Sequence, residues 1–257
     1  MIPILTLSDI NYSYHELRGE TKALDNISFT VNPGEFIVIV GPSGSGKSTL
    51  LSIIAGLLIP KEGNISLNNK PLISEKSKIG YMLQKDHLFE WRTVLSNVML
   101  GLEIQNKTDE TSRQKSLKLL KTYGLEEFAN AKPSQLSGGM RQRAALIRTL
   151  VLEPELLLLD EPFSALDYQT RLNVSDDIWK IIKQEQKTAI LVTHDLSEAV
   201  SMADRVLVLS ARPGHIVKDI TIKYEELEID SPMNRRNAKE FKSYFNLIWK
   251  ELNMHDS

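Results

Sequence analysis

The sequence predicts an α/β protein with a central parallel sheet, and three observations support this prediction. Two apolar runs, FIVIV at 36–40 and LLLLD at 156–160, have the continuous pattern of strands that are buried on both faces. The glycine-rich segment GPSGSGKST at 41–49 directly follows the first run, and the apolar helical pattern LLSIIAGLL follows that segment. Strand and helix patterns alternate further along the chain, which is typical of a parallel sheet with helical connections.

The segments before and after the first buried strand predict two further regions. Segments 4–14, 23–31 and 63–69 favour strands separated by Pro-Gly and Asn-Asn breaks, so we expect an antiparallel β subdomain. Residues from about 85 to 152 carry helical spacing of apolar residues, and Pro154 follows the last of these patterns. This stretch therefore predicts a helical subdomain.

The chain then returns to the sheet. Buried-strand patterns recur at 189–193 and 205–209, and a polar helix is expected at about 169–185. We expect one domain over residues 1–220, followed by a helical extension over 221–257. In that extension the apolar residues fall on one helical face, which favours docking on the chain's own domain over binding a partner. These residues are Phe241, Phe245, Ile248, Trp249 and Leu252.

Composition excludes some classes of protein. Lysine and arginine number 31 and the acidic residues 33, a net charge of −2, which does not point to nucleic-acid binding. There is no cysteine, so disulfides and cysteine–zinc sites are impossible. The N-terminus lacks the pattern of a secretory signal, and no run reaches the roughly 18 apolar residues of a membrane span. If the protein serves a membrane, we expect it to do so through a partner.

The segment at 41–48 fits the phosphate-binding pattern G-x-x-x-x-G-K-[ST] in full, between a strand and a helix. Glycines let backbone N–H groups surround phosphate oxygens, and the helix N-terminus adds partial positive charge. Lys47 is predicted to reach the β- and γ-phosphates, and the Ser48 hydroxyl is predicted to bind Mg²⁺. The predicted nucleotide-binding residues here are Gly41, Pro42, Ser43, Gly44, Ser45, Gly46, Lys47, Ser48 and Thr49.

The strand LLLLD ends at Asp160, and Glu161 follows it directly. Asp160 is predicted to hold Mg²⁺ through water, as an acidic residue does in other phosphate-loop enzymes. Glu161 is predicted to orient or deprotonate the attacking water, a role typically worth about 10²–10⁴ in rate. The sequence therefore predicts an enzyme that hydrolyses ATP with Mg²⁺.

A second set of anion-binding residues occurs in LSGGMRQR at 136–143. Ser137, Gly138 and Gly139 place a hydroxyl and glycine N–H groups before a helix, which suits an anion. One active site needs only one phosphate loop. We therefore expect this segment to face the nucleotide of a second subunit in a closed twofold dimer.

Six sequence features follow one another along the chain: GPSGSGKST, Gln84, LSGGMRQR, LLLLDEP, SALD at 164–167 and THD at 193–195. This is the order found in ABC-type ATPase domains, which the chain resembles from about residue 4 to about residue 220. The resemblance implies that Gln84 touches Mg²⁺ and the attacking water, and that His194 contacts the γ-phosphate. It also implies that Asp167 communicates across the dimer. Tyr14 is expected to stack on adenine, with Tyr12 as its alternative.

Three stretches resemble the nitrate, sulfonate and taurine import group: QKDHLFEWRTVLSNV at 84–98, THDLSEAVSMADRVLVLSARPG at 193–214, and the closing F-x-x-x-F-x-x-I-W. This resemblance implies an import subunit at the cytoplasmic face of the membrane. The subunit would energise uptake of a small, anionic solute through a separate permease and a solute-binding protein. Phe89 and Trp91 are candidate permease contacts, and the alternative for Trp91 is the core of the helical subdomain.

Other possibilities remain open at this point. About 40 residues follow His215, so we expect no built-in ligand-sensing domain. The ATP-dependent dimer can be a homodimer or a pair with a relative. The rival functions are a soluble ABC ATPase outside transport and a phosphate-loop kinase for a small molecule. The kinase would leave LSGG without a purpose.

Overall fold

A six-stranded sheet forms the centre of this computed structural model, which describes residues 2–16, 19–225 and 231–254. The strand order is β10-β9-β3-β8-β7-β6. All neighbouring pairs are parallel except β9 and β10. The strands are β3 (Phe36–Val40), β6 (Ile79–Met82), β7 (Leu156–Asp160), β8 (Thr188–Val192), β9 (Arg205–Leu209) and β10 (Ile216–Thr221). The predicted parallel sheet is confirmed.

Both faces of this sheet are covered, which explains the continuous apolar runs in its sequence. Phe36, Val38 and Val40 of β3 point into one core, and Ile37 and Ile39 point into a second core on the opposite face. All five residues of β3 are buried. Because no face meets water, no polar residue alternates with the apolar ones.

A four-stranded antiparallel sheet lies against the second core, as the sequence predicted. Its order is β2-β1-β4-β5, and its strands are β1 (Leu5–Glu16), β2 (Gly19–Val31), β4 (Glu62–Leu67) and β5 (Lys70–Pro71). Helix α1 (Lys47–Ile54) contributes Leu50, Leu51, Ile53 and Ile54 to the same core. The helix that follows the glycine-rich loop is therefore held between the two sheets.

The other helices lie outside the central sheet, most of them around the first core, while Leu72 of the first one packs against the second core. They are α2 (Leu72–Glu75), α3 (Val94–Val98), α4 (Leu100–Ile104), α5 (Glu110–Thr122), α6 (Gly138–Leu150), α7 (Tyr168–Gln184), α8 (Leu196–Met202), α9 (Pro232–Asn237) and α10 (Lys239–Met254). Short 3₁₀ helices lie at Lys76–Lys78, Glu126–Phe128 and Pro133–Gln135. Among the described residues, none of the helices has the length and apolar character needed to cross a bilayer.

Helix α10 packs through one face against the chain's own domain. Ile248 is fully buried, and Phe241, Phe245 and Leu252 are partly buried against the first core. The predicted placement of Trp249 on that face is wrong, since this side chain is 57% exposed. The residue after Ile248 turns about 100° around the helix axis, which carries its side chain out of the docked face. Residues 226–230 and 255–257 of the predicted extension lie outside the described residues.

Candidate functional site

The phosphate loop, residues 41–49, follows β3 directly and includes the first turn of α1. Gly44 and Gly46 have φ angles of 78° and 91°, which glycine adopts without steric cost. A Cβ atom on Gly46 would lie 2.6 Å from Leu24 Cδ2, so the position also lacks room for a side chain. No side chain caps the N-terminus of α1. Its first N–H groups are therefore left for an anion.

Lys47 lies inside this loop. Its Nζ donates to the carbonyl oxygens of Gly41 and Pro42 at 2.8 and 2.7 Å and lies 3.3 Å from Ser45 Oγ. Burial lowers the pKa of Lys47, and the carboxylates of Glu161 and Asp160 oppose that shift. The loop therefore holds a desolvated cation beside two acids.

Asp160 ends β7 and meets Ser48 across the loop. Its Oδ1 accepts a hydrogen bond from Ser48 Oγ at 3.0 Å, and its Oδ2 accepts one from the Tyr81 hydroxyl at 3.2 Å. Burial raises the pKa of Asp160, while these two hydrogen bonds oppose the shift. A hydroxyl and a carboxylate at this distance are the hard oxygen ligands that suit Mg²⁺, so Ser48 and Asp160 fit the predicted metal.

Glu161 lies close to two other residues that are predicted to take part in catalysis, His194 and Gln84. Its Oε2 lies 3.1 Å from His194 Nδ1 and 3.4 Å from Gln84 Nε2. Its backbone has a φ of 44°, uncommon for a residue with a side chain, and such strain clusters at functional sites. The Glu161 N–H donates to Val192 O at 2.9 Å, which fixes the residue to β8.

The loop that carries His194 is held from behind by a buried acid. Thr193 Oγ1 donates to Glu198 Oε2 at 2.6 Å, and the Asp195 N–H donates to Thr193 Oγ1 at 3.0 Å. Glu198 is 4% exposed. Burial raises its pKa to about 7, partly opposed by the hydrogen bond from Thr193.

Many of the predicted site residues line one open cleft of about 230 Å³. They are Tyr14, Ser43, Gly44, Gly46, Lys47, Ser48, Thr49, Glu161 and His194. The Tyr14 hydroxyl lies 2.9 Å from Thr49 Oγ1. Tyr12 instead packs against the second core. Of the two tyrosines considered for the base, Tyr14 is the one on the cleft wall.

Ser137, Gly138 and Gly139 do not line this cleft in the described part of the chain. Ser137 caps α6, since its Oγ accepts a hydrogen bond from the Met140 N–H at 3.3 Å. A Cβ on Gly138 would lie 2.9 Å from Leu166 Cδ2, and one on Gly139 would lie 2.6 Å from Val174 Cγ2. Ser137 and Gly138 are exposed.

Asp167 and the aromatic pair after Gln84 lie at other surface positions. Asp167 caps α7 by accepting from the Thr170 N–H at 3.1 Å. The rings of Phe89 and Trp91 stack with centroids 4.7 Å apart. Trp91 is 73% exposed, so the alternative that it belongs to the core is wrong.

Some residues of the site were not singled out from the sequence, and three of them have charged or polar side chains. Tyr81 bonds Asp160, Glu198 supports Thr193, and Arg212 lines the cleft. Tyr81 follows the alternation of β6, but nothing in that pattern indicates its partner. Glu198 and Arg212 lie in the stretch 193–214, and from the sequence alone a charged residue there is interpreted as part of the solvent-exposed surface. Only the fold places them at the site.

Comparison with known proteins shows what this chain is similar to. The family model described as "ABC transporter" matches residues 24–164. The chain is 45% identical to the uncharacterized ABC transporter ATP-binding protein YtlC of Bacillus subtilis, over 97% of this chain and 95% of that protein. It is 41% identical to the nitrate import ATP-binding protein NrtD of a Synechocystis species, over 93% and 91% of the two chains.

Solved structures share the fold. The ATP-binding cassette MJ0796, in a dimeric post-hydrolysis state bound to ADP and Pi, superposes with a TM-score of 0.73. It is 34% identical, and the match covers 85% of this chain and 99% of that one.

Proposed function

Because the chain belongs to the ABC transporter family of ATP-binding proteins, we propose that it hydrolyses Mg-ATP to energise import of a small solute through a separate permease. The observation that supports this best is the position of Glu161. Its carboxylate lies at hydrogen-bonding distance from His194 and Gln84, in the cleft lined by Lys47 and Ser48. A base, a phosphate contact and a phosphate loop therefore share one site.

The chain's own residues divide the reaction between them. The N–H groups of the phosphate loop and Lys47 bind the phosphates, and Tyr14 stacks on adenine. Glu161 accepts the proton of the attacking water, Gln84 orients that water, and His194 donates to the γ-phosphate. Ser48 and Asp160 would hold Mg²⁺, which would neutralise part of the negative charge on the phosphates.

The second anion-binding segment completes the site in a dimer. Ser137 and Gly138 are exposed and lie outside the cleft of their own chain, which leaves them available to the nucleotide of a second copy. Two copies related by a twofold axis would each supply one phosphate loop and one LSGG segment. Asp167, which begins the helix behind this surface, would relay closure between the subunits.

The proposed partners are membrane proteins. The stacked pair of Phe89 and Trp91 follows Gln84, so a permease helix bound there would be linked to the nucleotide cleft. As part of this proposal, the protein lies at the cytoplasmic face of the membrane, bound through its permease. Similarity to a nitrate import protein supports a small anionic solute, delivered by a solute-binding protein.

Glu161→Gln tests the hydrolytic part of the proposal. We expect phosphate release to fall by about 10²–10⁴, the usual contribution of a general base, while ATP still binds. Glu153→Gln is the matched control, because this exposed glutamate also has a positive φ, of 55°, and lies away from the cleft. Near-normal phosphate release by the Glu161 variant would remove this residue from the mechanism.

A pull-down tests the transport part. Tagged Glu161→Gln protein would be recovered with Mg-ATP from detergent-solubilised membranes of the source cell. A co-purifying multi-span protein that is lost in a Trp91→Ala variant supports the permease contact. Recovery of the ATP-bound dimer with soluble partners only would favour a non-transport ABC ATPase.

A further inference from the structure

The loop that follows β9 is fixed against the phosphate loop. The His215 N–H donates to Ser210 Oγ and the Ser210 N–H donates to His215 O, both at 3.0 Å, so the loop closes on itself. The Gly214 N–H donates to Ala23 O at 2.9 Å, which ties the loop to β2. A Cβ on Gly214 would lie 2.0 Å from Ser45 O. The two loops therefore pack backbone to backbone.

Arg212 projects from this fixed loop into the nucleotide cleft. Its side chain lines the cleft together with Lys47, Ser48 and His194. The Nε–H donates to Gly44 O at 3.3 Å, and Nη2 lies 3.3 Å from where a Cβ on Gly44 would stand. Within the described residues this is the one hydrogen bond that the guanidinium makes, so its four Nη hydrogens remain for a ligand.

The charges of the cleft leave a role for a second cation. Lys47 is bonded to loop carbonyls and lies beside the acids Asp160 and Glu161. A polyphosphate that enters this cleft brings several negative charges. A guanidinium offers parallel N–H donors whose spacing matches two phosphate oxygens, which an ammonium does not.

We infer that Arg212 is a further nucleotide-binding residue, whose Nη groups donate to phosphate oxygens beside Gly44. This inference rests on the proposed function, since it requires that the cleft bind ATP. Arg212 reaches the cleft from the loop that follows β9 and meets the phosphate loop at Gly44. Its position depends on the close packing of Gly214 rather than on any contact made by the ligand.

The test is the affinity of dilute, monomeric protein for two probes, ATP and inorganic tripolyphosphate, each competing against a fluorescent ATP analogue. We expect Arg212→Gln to raise both dissociation constants by the same factor, roughly ten- to a hundredfold, as for loss of a charge-assisted hydrogen bond. Arg212→Lys should recover only part of this loss. Lys223→Gln removes an equal charge from an exposed site outside the cleft and should change neither constant.

Three outcomes would overturn the inference: unchanged constants in Arg212→Gln, a loss for ATP without a loss for tripolyphosphate, or a defect seen only in dimer formation. An unchanged melting temperature of the variant shows that the loop still folds. If the unaltered protein binds no ATP, the proposed function itself fails. If the unaltered protein and Arg212→Gln bind ATP equally well, only the inference on Arg212 fails.

Discussion

The phosphate loop and the segment Ser137–Gly139 both contain serine and glycine, but the glycines have different roles in the two regions. In the loop, Gly44 and Gly46 have positive φ angles and allow a turn that other residues resist. Gly138 and Gly139 instead form the first turn of α6, and their missing side chains let Leu166 and Val174 approach. One pair of glycines therefore serves backbone conformation and the other serves close packing.

The helix N-termini differ in the same way. The N–H groups at the start of α1 have no side-chain cap, whereas the Met140 N–H of α6 is already bonded to Ser137. Gly41, Ser45 and Lys47 of the loop are buried within their own chain, whereas Ser137 faces solvent. The first region is thus a nearly complete cradle within one chain, and the second is a surface that needs another molecule to cover it.

Substitution of the exposed region should have the largest effect. We expect Ser137→Arg to abolish the ATP-dependent dimer, because a long cation would occupy the surface that must meet a second nucleotide. ATP binding to the phosphate loop should be unchanged, since Ser137 does not line that cleft. Light scattering with a non-hydrolysed analogue measures the first effect, and nucleotide titration the second.

Ser137→Ala is the control for that substitution. It removes the cap of α6, which costs about 1 kcal/mol of stability, without adding bulk. Dimerisation should therefore weaken less in Ser137→Ala than in Ser137→Arg. A dimer that persists in the arginine variant would show that the two regions do not meet.

The next prediction concerns Glu198, the buried acid that supports the loop carrying His194 at the edge of the nucleotide cleft. Its pKa of about 7 in the folded protein lies above the usual value of 4.5, so the folded state binds more protons than the unfolded state between these two values. The free energy of unfolding should therefore fall by up to about 3 kcal/mol as the pH rises from 4.5 to 7, and then level off.

Denaturant titrations of the protein and of Glu198→Gln across this pH range measure that change. The variant cannot ionise at this position, so it should lose this part of the pH dependence. Glu62→Gln, an exposed change on β4, should keep it. Identical pH profiles for Glu198→Gln and the unaltered protein would mean that Glu198 does not titrate as proposed.

Tyr14 should give the smallest effect of the three. Loss of its ring in Tyr14→Ala should weaken ATP binding by about 1–3 kcal/mol, the range for stacking of a base on an aromatic side chain. Tyr14→Phe keeps the ring and loses only the hydroxyl contact with Thr49, so it should bind ATP almost normally. If Tyr14→Phe loses as much as Tyr14→Ala, the hydroxyl and not the ring carries the contribution.

Local sequence patterns determined much of this protein. The runs at 36–40 and 156–160 indicated strands buried on both faces, because a strand without polar alternation has no face that meets water. The spacing of glycines, Lys47 and Ser48 predicted a phosphate loop, because its turn and its ligands lie within nine consecutive residues. These features need only information from neighbouring residues in the chain.

Only the tertiary structure decided which distant side chains meet. Tyr12 and Tyr14 are two residues apart on β1 and would share a face of a regular strand. The pairing of β1 with β2 shifts register between Tyr12 and Ser13, and Tyr12 packs on the second core while Tyr14 lies on the cleft wall. Trp249 turned away from the face that docks α10. Arg212 reached Gly44 because Gly214 allows two backbones to touch. Such contacts depend on the relative positions of separate elements, which no local pattern specifies.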